Sequence, residues 1–360
     1  MAQNKHNQWQ VSSLRESRLT TFLLGILVVL AVGFVLLQMA SIFQPLMIAI
    51  FLSFIFEPMV NALTRIKIPK VLAFLITLVF VFAIFYLVGL LIYASVASFT
   101  DEFPKYQVKL IDMYKSFINK VEIPDEQVRD FFRQIRWSDL LQKFSINAFL
   151  SATIGTFLNF LTKLFLVLLI TIYIALGREH MLNKVKIAFP DDRSTTIYNV
   201  IHNINIGIQK YLITKIIISL GTGVIATIIL FVFGVDFAIV WGLLTFLLNF
   251  IPNVGSIIAT IPPILVSFVQ FGSFLPTMWL TILLTGTQLT MGNFIEPRLM
   301  GKNLNLSPLV VIISLIFWAF IWGPVGMVLA VPISSTIQII CANIDTLKPI
   351  AIFMGGDDKV

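Results

Sequence analysis

Long apolar stretches recur along this chain of 360 residues, and they constrain the fold more than any other feature. A helix needs about 20 apolar residues to cross the hydrocarbon core of a bilayer. Eight stretches approach or exceed that length: Thr20–Gln38, Ile42–Leu63, Val71–Ala97, Phe149–Leu176, Leu212–Phe233, Phe237–Phe271, Pro276–Met291 and Pro308–Ile340. Because lipid offers no partners to backbone amides, these stretches must be helices and not open strands. The sequence therefore predicts an all-α, polytopic membrane bundle of about eight transmembrane spans.

The composition agrees with this prediction and argues against several other classes of protein. Charged residues make up 12% of the chain, against about 25% in typical soluble domains. A single cysteine, Cys341, excludes a disulfide framework, and the three histidines show no metal-ligand spacing. The chain contains no phosphate-binding glycine loop, no G-x-S-x-G elbow and no H-E-x-x-H motif. We therefore expect no enzyme activity, no metal and no cofactor.

The net charge of +7 is explained by membrane orientation, because the basic residues lie mainly in loops beside the apolar stretches. No nucleic-acid-binding motif accompanies them, so we expect no nucleic acid partner. Basic residues are concentrated in the N-terminal tail, around Arg65–Lys70 and in the loop 177–210, which predicts that these parts are cytoplasmic. The first apolar stretch is too long for a signal peptide. We predict a multi-pass protein of the bacterial inner (cytoplasmic) membrane with both termini cytoplasmic.

Four regions follow from this reading. Residues 1–97 form a cytoplasmic tail and the first three spans, and residues 98–148 form a small extracytoplasmic helical segment. Residues 149–341 form the C-terminal transport domain, with a cytoplasmic amphipathic helix at 180–210, and residues 342–360 form a cytoplasmic tail. In the segment 98–148 apolar residues recur every three or four positions, which predicts helix. That segment is either a cap packed on itself and the membrane domain, or an oligomer contact or gate.

Two of the apolar stretches are too long for one straight span, and both contain helix-breaking residues. Phe237–Phe271 contains Asn249–Gly255 and then Pro262-Pro263, and Pro308–Ile340 contains Gly323-Pro324. Proline removes a helix hydrogen bond and kinks the chain. Each stretch is therefore a kinked helix, a helical hairpin or a re-entrant segment, and the span count lies between eight and ten. The loop with Arg298 is cytoplasmic if the first stretch is a hairpin, and outside if it crosses once.

Polar residues at these breaks are the candidate solute path. Ends of half-helices present free amides and carbonyls to a small ligand, although turns and caps would use the same residue types. The path residues predicted from sequence are Asn249, Pro252, Asn253, Gly255, Gln288, Asn293, Glu296, Pro297, Arg298, Gly323 and Pro324.

Ionisable residues within the spans are candidates for proton or cation coupling, because lipid penalises charge. Glu296, Glu57 and Lys163 are these candidates. Both Glu57 and Lys163 also fit interfacial positions, where a long side chain reaches the headgroups. Asp236, which follows Gly234, is expected to cap the helix after it.

Three ordered motifs resemble a known family. They lie in Phe237–Pro263, in Gly292–Val311 and in Gly323–Pro332, and together they are similar to the autoinducer-2 exporter family. The resemblance implies a multi-pass membrane protein of about eight spans that exports the signalling furanone autoinducer-2. Some relatives in this family look like sodium(lithium)/proton antiporters. The resemblance assigns no role to Lys163 or Glu57, which lie outside the three motifs.

Three hypotheses remain open. The first is a transporter that exports autoinducer-2 or a similar small polar metabolite, with Asn249, Asn253 and Asn293 hydrogen-bonding its hydroxyl groups. The second is a sodium(lithium)/proton antiporter that uses a membrane carboxylate. The third is a non-transport oligomeric membrane scaffold that uses the outer helices as a contact surface. The partners implied are membrane lipid, a small-molecule substrate, sodium or protons under the second hypothesis, and further copies of the chain in a homo-oligomer.

Overall fold

A computed structural model describes residue 20 and residues 23–120, 146–189, 191–300 and 306–356. In these ranges the long elements are all helices and no strand occurs, which confirms the all-α prediction. The α-helices in chain order are α1 Leu23–Gln38, α2 Ala40–Arg65, α3 Lys70–Lys120, α4 Ile146–Ala188, α5 Asp191–Val232, α6 Ala238–Leu248, α7 Val254–Phe271, α8 Phe274–Thr290, α9 Glu296–Met300, α10 Pro308–Ala342 and α11 Lys348–Met354. A π-helical turn, Met291–Ile295, joins α8 to α9, and a 3-10 turn, Asp345–Leu347, precedes α11.

The helices have the length and apolarity that a polytopic membrane bundle requires. Five helical segments are long and apolar enough to cross a bilayer: Ala40–Arg65, Lys70–Leu91, Ser194–Val232, Val254–Phe271 and Pro308–Ala342. Shorter apolar helices lie at Leu23–Gln38, Thr162–Gly177 and Ala238–Leu248. Large apolar side chains are exposed along most of these segments, as expected for surfaces that face lipid. The predicted class, a polytopic helical membrane protein, is confirmed.

The third span continues without a break into the segment that follows it. Helix α3 has 51 residues, which corresponds to about 76 Å, and its stretch Lys70–Leu91 is long and apolar enough to cross the bilayer. The first part of the segment 98–148 is therefore the end of α3. The second helix expected there, around Val128–Leu140, lies outside the described residues.

The first broken stretch is a helical hairpin made of α6 and α7. Its two ends meet: the Asp236 amide donates to Gln270 Oε1 at 2.9 Å, and Gln270 Nε2 donates to the Gly234 carbonyl at 2.7 Å. The turn at the tip places Gly255 against the first helix, where an added Cβ would lie 1.8 Å from the Leu248 carbonyl oxygen. Only glycine fits this approach. We call α6, α7 and the turn between them the first hairpin.

The second broken stretch, α10, is also a hairpin. Its backbone leaves helical geometry at Gly323, where φ is 62° and ψ is −142°, and Pro324 follows. This combination of angles is essentially restricted to glycine. Ser334 Oγ donates to Ser314 Oγ at 2.7 Å across the break, so the two halves lie side by side. We call α10 the second hairpin.

The returning half of the second hairpin is the most enclosed part of the bundle that the structure describes. Every residue from Leu329 to Ser335 is buried, so this helix has neighbours on all sides. Its apolar members share one core cluster with Phe51 of α2, with Tyr211 and Leu212 of α5, and with Ile251 at the tip of the first hairpin. The tip of the first hairpin and the second hairpin therefore border the same core.

Candidate functional site

One side of α5 carries buried polar residues where the surrounding sequence is apolar. Lys215, Ser219 and Thr222 follow each other at helical spacing and are all buried, and Tyr211 lies one turn earlier. We call these four residues the α5 polar face. Because polar groups inside a membrane helix are expensive, they need partners within the protein.

Lys215 has such a partner in Glu296. Lys215 Nζ lies 2.5 Å from Glu296 Oε1, and the two side chains are 2% and 20% exposed. The π-helical turn Met291–Ile295 ends directly before Glu296, and π turns inside α-helices are frequent at functional sites. The extra residue in this turn rotates Glu296 towards α5. The pair carries no net charge, so it can lie inside the bundle without an ion.

The tip of the first hairpin reaches the same face one helical turn further on. Asn249 is buried, and its Nδ2 donates to Ser219 Oγ at 3.1 Å. Two of the sequence clusters, one around Asn249 and one around Glu296, therefore meet on the α5 polar face. The regular α-helix is interrupted beside each contact: α6 ends before Asn249, and the π turn ends directly before Glu296.

The other predicted path residues differ in how far they are buried. Gly255 is buried in the tip of the first hairpin, and Pro252, Gln288 and Gly323 are half-buried. The remaining predicted path residues are exposed: Asn253, Asn293, Pro297, Arg298 and Pro324. Asn253 has a left-handed backbone, with φ 60°, and its carbonyl accepts a hydrogen bond from Ser256 Oγ at 2.8 Å. Among the predicted path residues, the ones whose side chains bond to the α5 polar face are thus Asn249 and Glu296.

The two other coupling candidates lie elsewhere on the bundle. Lys163 is exposed and lies within α4, well after the first residue of this helix, Ile146. Glu57 is half-buried in α2, directly before Pro58.

The interpretation of Asp236 as a helix cap is wrong. The residue at the cap position is Phe237, with φ 62°, and no side chain caps α6. The Asp236 carboxylate instead accepts a hydrogen bond from the phenol of Tyr106 on α3. A left-handed residue between Asp236 and the helix turns the carboxylate away from the free amides of α6 and towards α3.

The extended part of α3 is bonded to both ends of the first hairpin. Beside the Tyr106–Asp236 bond, Lys109 Nζ donates to the Gln270 carbonyl at 2.6 Å, and Trp241 Nε1 donates to the Asp236 carbonyl at 3.0 Å. Burial, and after it the hydrogen bond to Asp236, raises the pKa of the Tyr106 phenol above its ordinary value. We call Tyr106, Lys109, Asp236, Trp241 and Gln270 the α3–hairpin network. For its described part, the segment after the third span packs on the membrane domain.

Sequence reasoning missed Lys215, Ser219 and Tyr211. Lys215 is the fourth residue of the predicted span Leu212–Phe233, a position typical of a lysine at the membrane interface. Its signal was the spacing Lys215, Ser219, Thr222, which places three polar groups on one helix face. The partner, Glu296, is 81 residues away and no local pattern joins the two.

Nothing in the described ranges suggests a metal site, because no group of three or more His, Cys, Asp or Glu side chains could hold an ion there. The site is a buried ion pair and a hydroxyl–amide contact beside broken helices. Helices of membrane length, two helical hairpins and a polar face between them define the chain as a multi-pass helical membrane protein with interrupted helices. Transporters build their solute sites from such interrupted helices.

The family model described as AI-2E family transporter matches residues 24–345, and the chain belongs to this family of membrane transport proteins. It is 30% identical to the AI-2 transport protein TqsA of Escherichia coli over 348 residues, which cover 94% of this chain and 95% of TqsA. It is 32% identical to a protein of Borreliella burgdorferi named "Putative transport protein" over 327 residues, 88% of this chain and 86% of that protein. A Haemophilus influenzae protein of the same name is 32% identical over 329 residues, 88% and 91% of the two chains. The resemblance found in the three sequence motifs is confirmed, and a membrane and a small-molecule substrate follow from the family.

Proposed function

We propose that this transporter exports a small, uncharged, polar metabolite, and that this metabolite is autoinducer-2. The observation that carries the proposal is the α5 polar face, where Lys215–Glu296 and Ser219–Asn249 meet beside two helix breaks. The ion pair is neutral as a whole, and the amide and hydroxyl groups of Asn249 and Ser219 both donate and accept hydrogen bonds. These properties suit a hydroxylated solute without charge. Similarity to TqsA over 94% of the chain supports the furanone as that solute.

The proposed path runs between the tips of the two hairpins. Helix α6 has 11 residues, about 16 Å, whereas the hydrocarbon core is about 30 Å thick. If the base of the first hairpin lies at one surface, its tip with Asn249 therefore lies near the midplane. Interrupted backbone at that depth is tolerated where it lines a polar cavity. Asn249 is thus placed to exchange its bond with Ser219 for a bond to a solute.

The hairpin also supports one membrane orientation. Since the first hairpin begins and ends beside the extension of α3, it returns to the side it started from, and α8 then crosses. With α3 extending outward, Arg298 and the base of the second hairpin are cytoplasmic, in agreement with the positive-inside rule. We propose that both termini are cytoplasmic and that the segment 98–148 is extracytoplasmic, in the inner membrane of a bacterium. The boundaries 1–97, 98–148, 149–341 and 342–360 remain part of this proposal.

The test is release of autoinducer-2 from proteoliposomes that contain the purified protein. We expect protein-dependent release, and we expect Asn249→Ala to slow it about tenfold, the equivalent of about 1.4 kcal/mol, which is one hydrogen bond. Asn343→Ala is the matched control, because Asn343 is exposed and its amide bonds only the Ile339 carbonyl of its own helix turn. Wild-type vesicles that retain autoinducer-2 at the rate of protein-free vesicles would refute the proposal.

A sodium(lithium)/proton antiporter is the second candidate, because Glu296 is a carboxylate enclosed beside the path. Glu296→Gln removes the carboxylate but also leaves Lys215 unpaired, so this variant alone is ambiguous. The pair Lys215→Met with Glu296→Gln restores neutrality. Under antiport, a pH-sensitive dye in sodium-pulsed vesicles reports exchange in the wild type and none in this double variant. Under export, the double variant still releases autoinducer-2, and the wild type gives no sodium-dependent dye signal.

A scaffold role is less well supported by the geometry. The Tyr106 and Lys109 face of α3 is bonded within the same chain, so it is not a surface for a partner protein. Helix α1 is exposed along nearly its whole length, which suits lipid or a second copy of the chain. A homo-oligomer is part of the proposal, with α1 as its contact.

A further inference from the structure

We infer that the second hairpin carries a binding site for the hydroxyl groups of an uncharged solute. The site consists of Ser314, Ser334, Ser335 and Gln338, which we call the hydroxyl cluster. This inference rests on the proposed function and deepens it, because it names a second set of solute contacts and the chemical class they recognise.

The hydroxyl cluster lies in the most enclosed helix of the described bundle. Ser334 and Ser335 are 3% and 1% exposed, and Gln338 is buried one turn after them. On a helix, Gln338 lies beside both serines, because it follows them by four and three residues. Ser314 joins from the other half of the hairpin through its 2.7 Å bond with Ser334. Four polar side chains therefore meet at a place where apolar side chains would pack more easily.

Ser335 is the residue that points to a ligand. Its Oγ is buried and has no hydrogen-bond partner among the residues that the structure describes. A helical hydroxyl normally satisfies itself on the carbonyl four residues earlier, as Thr336 does on Pro332 at 2.8 Å. Buried hydroxyls without a partner are rare in proteins. Its neighbour in sequence is satisfied locally, so helix geometry alone does not account for the unused Ser335 group.

A proline removes one helix hydrogen bond on the same side of the helix. Pro332 has no amide hydrogen for the Val328 carbonyl one turn before it. Val328, Pro332 and Ser335 follow each other at spacings of four and three residues, so they share one face. The hydroxyl of Ser335 can donate or accept, and the Val328 carbonyl can accept. Together they match a solute hydroxyl, which does both.

The chemistry favours an uncharged ligand. The stretch Pro308–Ala342 contains no Asp, Glu, Lys, Arg or His, so the second hairpin offers no counter-charge to an ion. The same core cluster connects Leu329–Ile333 with Tyr211 on the α5 polar face. The two hairpins thus border one core. The inference places the solute between them, in contact with Asn249 and Ser219 on one side and with the hydroxyl cluster on the other.

Ser335→Ala tests the inference, because structure and binding predict opposite effects. If the hydroxyl is unused without solute, its removal leaves the melting temperature of the solute-free protein unchanged or raised. Autoinducer-2 should raise the melting temperature of the wild type in detergent, and this stabilisation should require about tenfold more autoinducer-2 in the variant. The KM for release from proteoliposomes should rise by the same factor. Ser267→Ala is the control: Ser267 is buried and bonded to Thr277 at 3.2 Å, so its loss lowers the melting temperature but leaves the autoinducer-2 shift intact.

Each other outcome overturns the inference in a recognisable way. Equal stabilisation of wild type and Ser335→Ala by autoinducer-2 removes the hydroxyl cluster from the site and leaves the exporter proposal standing. A lower melting temperature of solute-free Ser335→Ala shows that the hydroxyl is bonded within the protein. If sodium chloride stabilises the wild type but not Ser335→Ala, and autoinducer-2 stabilises both equally, the hydroxyl cluster binds a cation and not the uncharged solute. If the wild type neither binds nor releases autoinducer-2, the exporter proposal fails. In that case ribose serves as the uncharged probe. If ribose raises the melting temperature of the wild type and of Ser335→Ala equally, the hydroxyl cluster is not a binding site.

Discussion

Removing one member of the Lys215–Glu296 pair should cost more than removing both. Breaking a buried ion pair from one side costs about 3–5 kcal/mol, because the remaining charge has no partner. The two side chains differ in burial, since Lys215 is 2% exposed and Glu296 is 20% exposed. Glu296→Gln leaves the more enclosed charge alone, so we expect the full cost of about 3–5 kcal/mol. Lys215→Met leaves a carboxylate that water can reach in part, and we expect about 1–3 kcal/mol.

The double variant, Lys215→Met with Glu296→Gln, should recover most of this loss, because neutral groups of similar size replace a buried pair at little cost. The assay is SDS-induced unfolding in mixed micelles, followed by tryptophan fluorescence, for the four proteins of a double-mutant cycle. We expect a coupling of at least about 3 kcal/mol, because the two single costs sum to about 4–8 kcal/mol and the double variant loses about 1 kcal/mol or less. Arg298→Gln is the control: it removes an exposed charge two residues from Glu296 and should change stability by less than about 0.5 kcal/mol. A double variant less stable than Glu296→Gln would refute the reasoning, as would equal costs for the two single variants.

Two further predictions concern the first hairpin. Gly255→Ala would place a Cβ 1.8 Å from the Leu248 carbonyl oxygen, so we expect a loss of at least about 1–3 kcal/mol by the same unfolding assay. Gly286→Ala, where nothing lies within 4 Å, should be neutral or stabilising by about 0.5–1 kcal/mol, and a comparable loss there would contradict the steric explanation. The raised pKa of Tyr106 predicts that stability is present below the ordinary value of 10.0 and is lost as the pH rises past it, because the unfolded chain releases the phenolic proton first. Melting curves from pH 8 to pH 11 should therefore fall more steeply for the wild type than for Tyr106→Phe, and parallel curves would remove Tyr106 as the cause.

The sequence was sufficient for the helices and for the places where they break. Apolar runs of bilayer length left no alternative to helix, and the breaks stand at Asn249–Gly255 and Gly323, as proline and glycine predicted. Whether each break is a kink or a hairpin could not be read from the sequence. That outcome depends on the bonds between Asp236 and Gln270, 34 residues apart, and between Ser314 and Ser334, 20 residues apart.

The candidate site was predicted only in part, because the sequence does not show which way a side chain faces or which remote residue it contacts. The cluster around Asn293–Arg298 contained Glu296, which pairs with Lys215, but six consecutive residues of a helix cannot all face inward. In the structure Glu296, directly after the π turn, faces Lys215, whereas Asn293 and Arg298 are exposed. Lys215 looked like an interfacial lysine because its partner is remote in sequence. Asp236 looked like a cap because helix caps are the commonest role of an aspartate at that position.

The side-chain hydrogen bonds that join the first hairpin to other helices differ between its base and its tip. At its base, Asp236 and Gln270 are bonded to each other and to Tyr106 and Lys109 of α3. At its tip, the one side-chain bond to α5 that the described residues show is that between Asn249 and Ser219. The hairpin is thus held mainly by polar bonds at its base and mainly by apolar packing at its tip, where Ile251 belongs to the core. Because α3 is one continuous helix of about 76 Å that is bonded to this base, it connects the membrane-embedded hairpin directly to the segment that follows the third span.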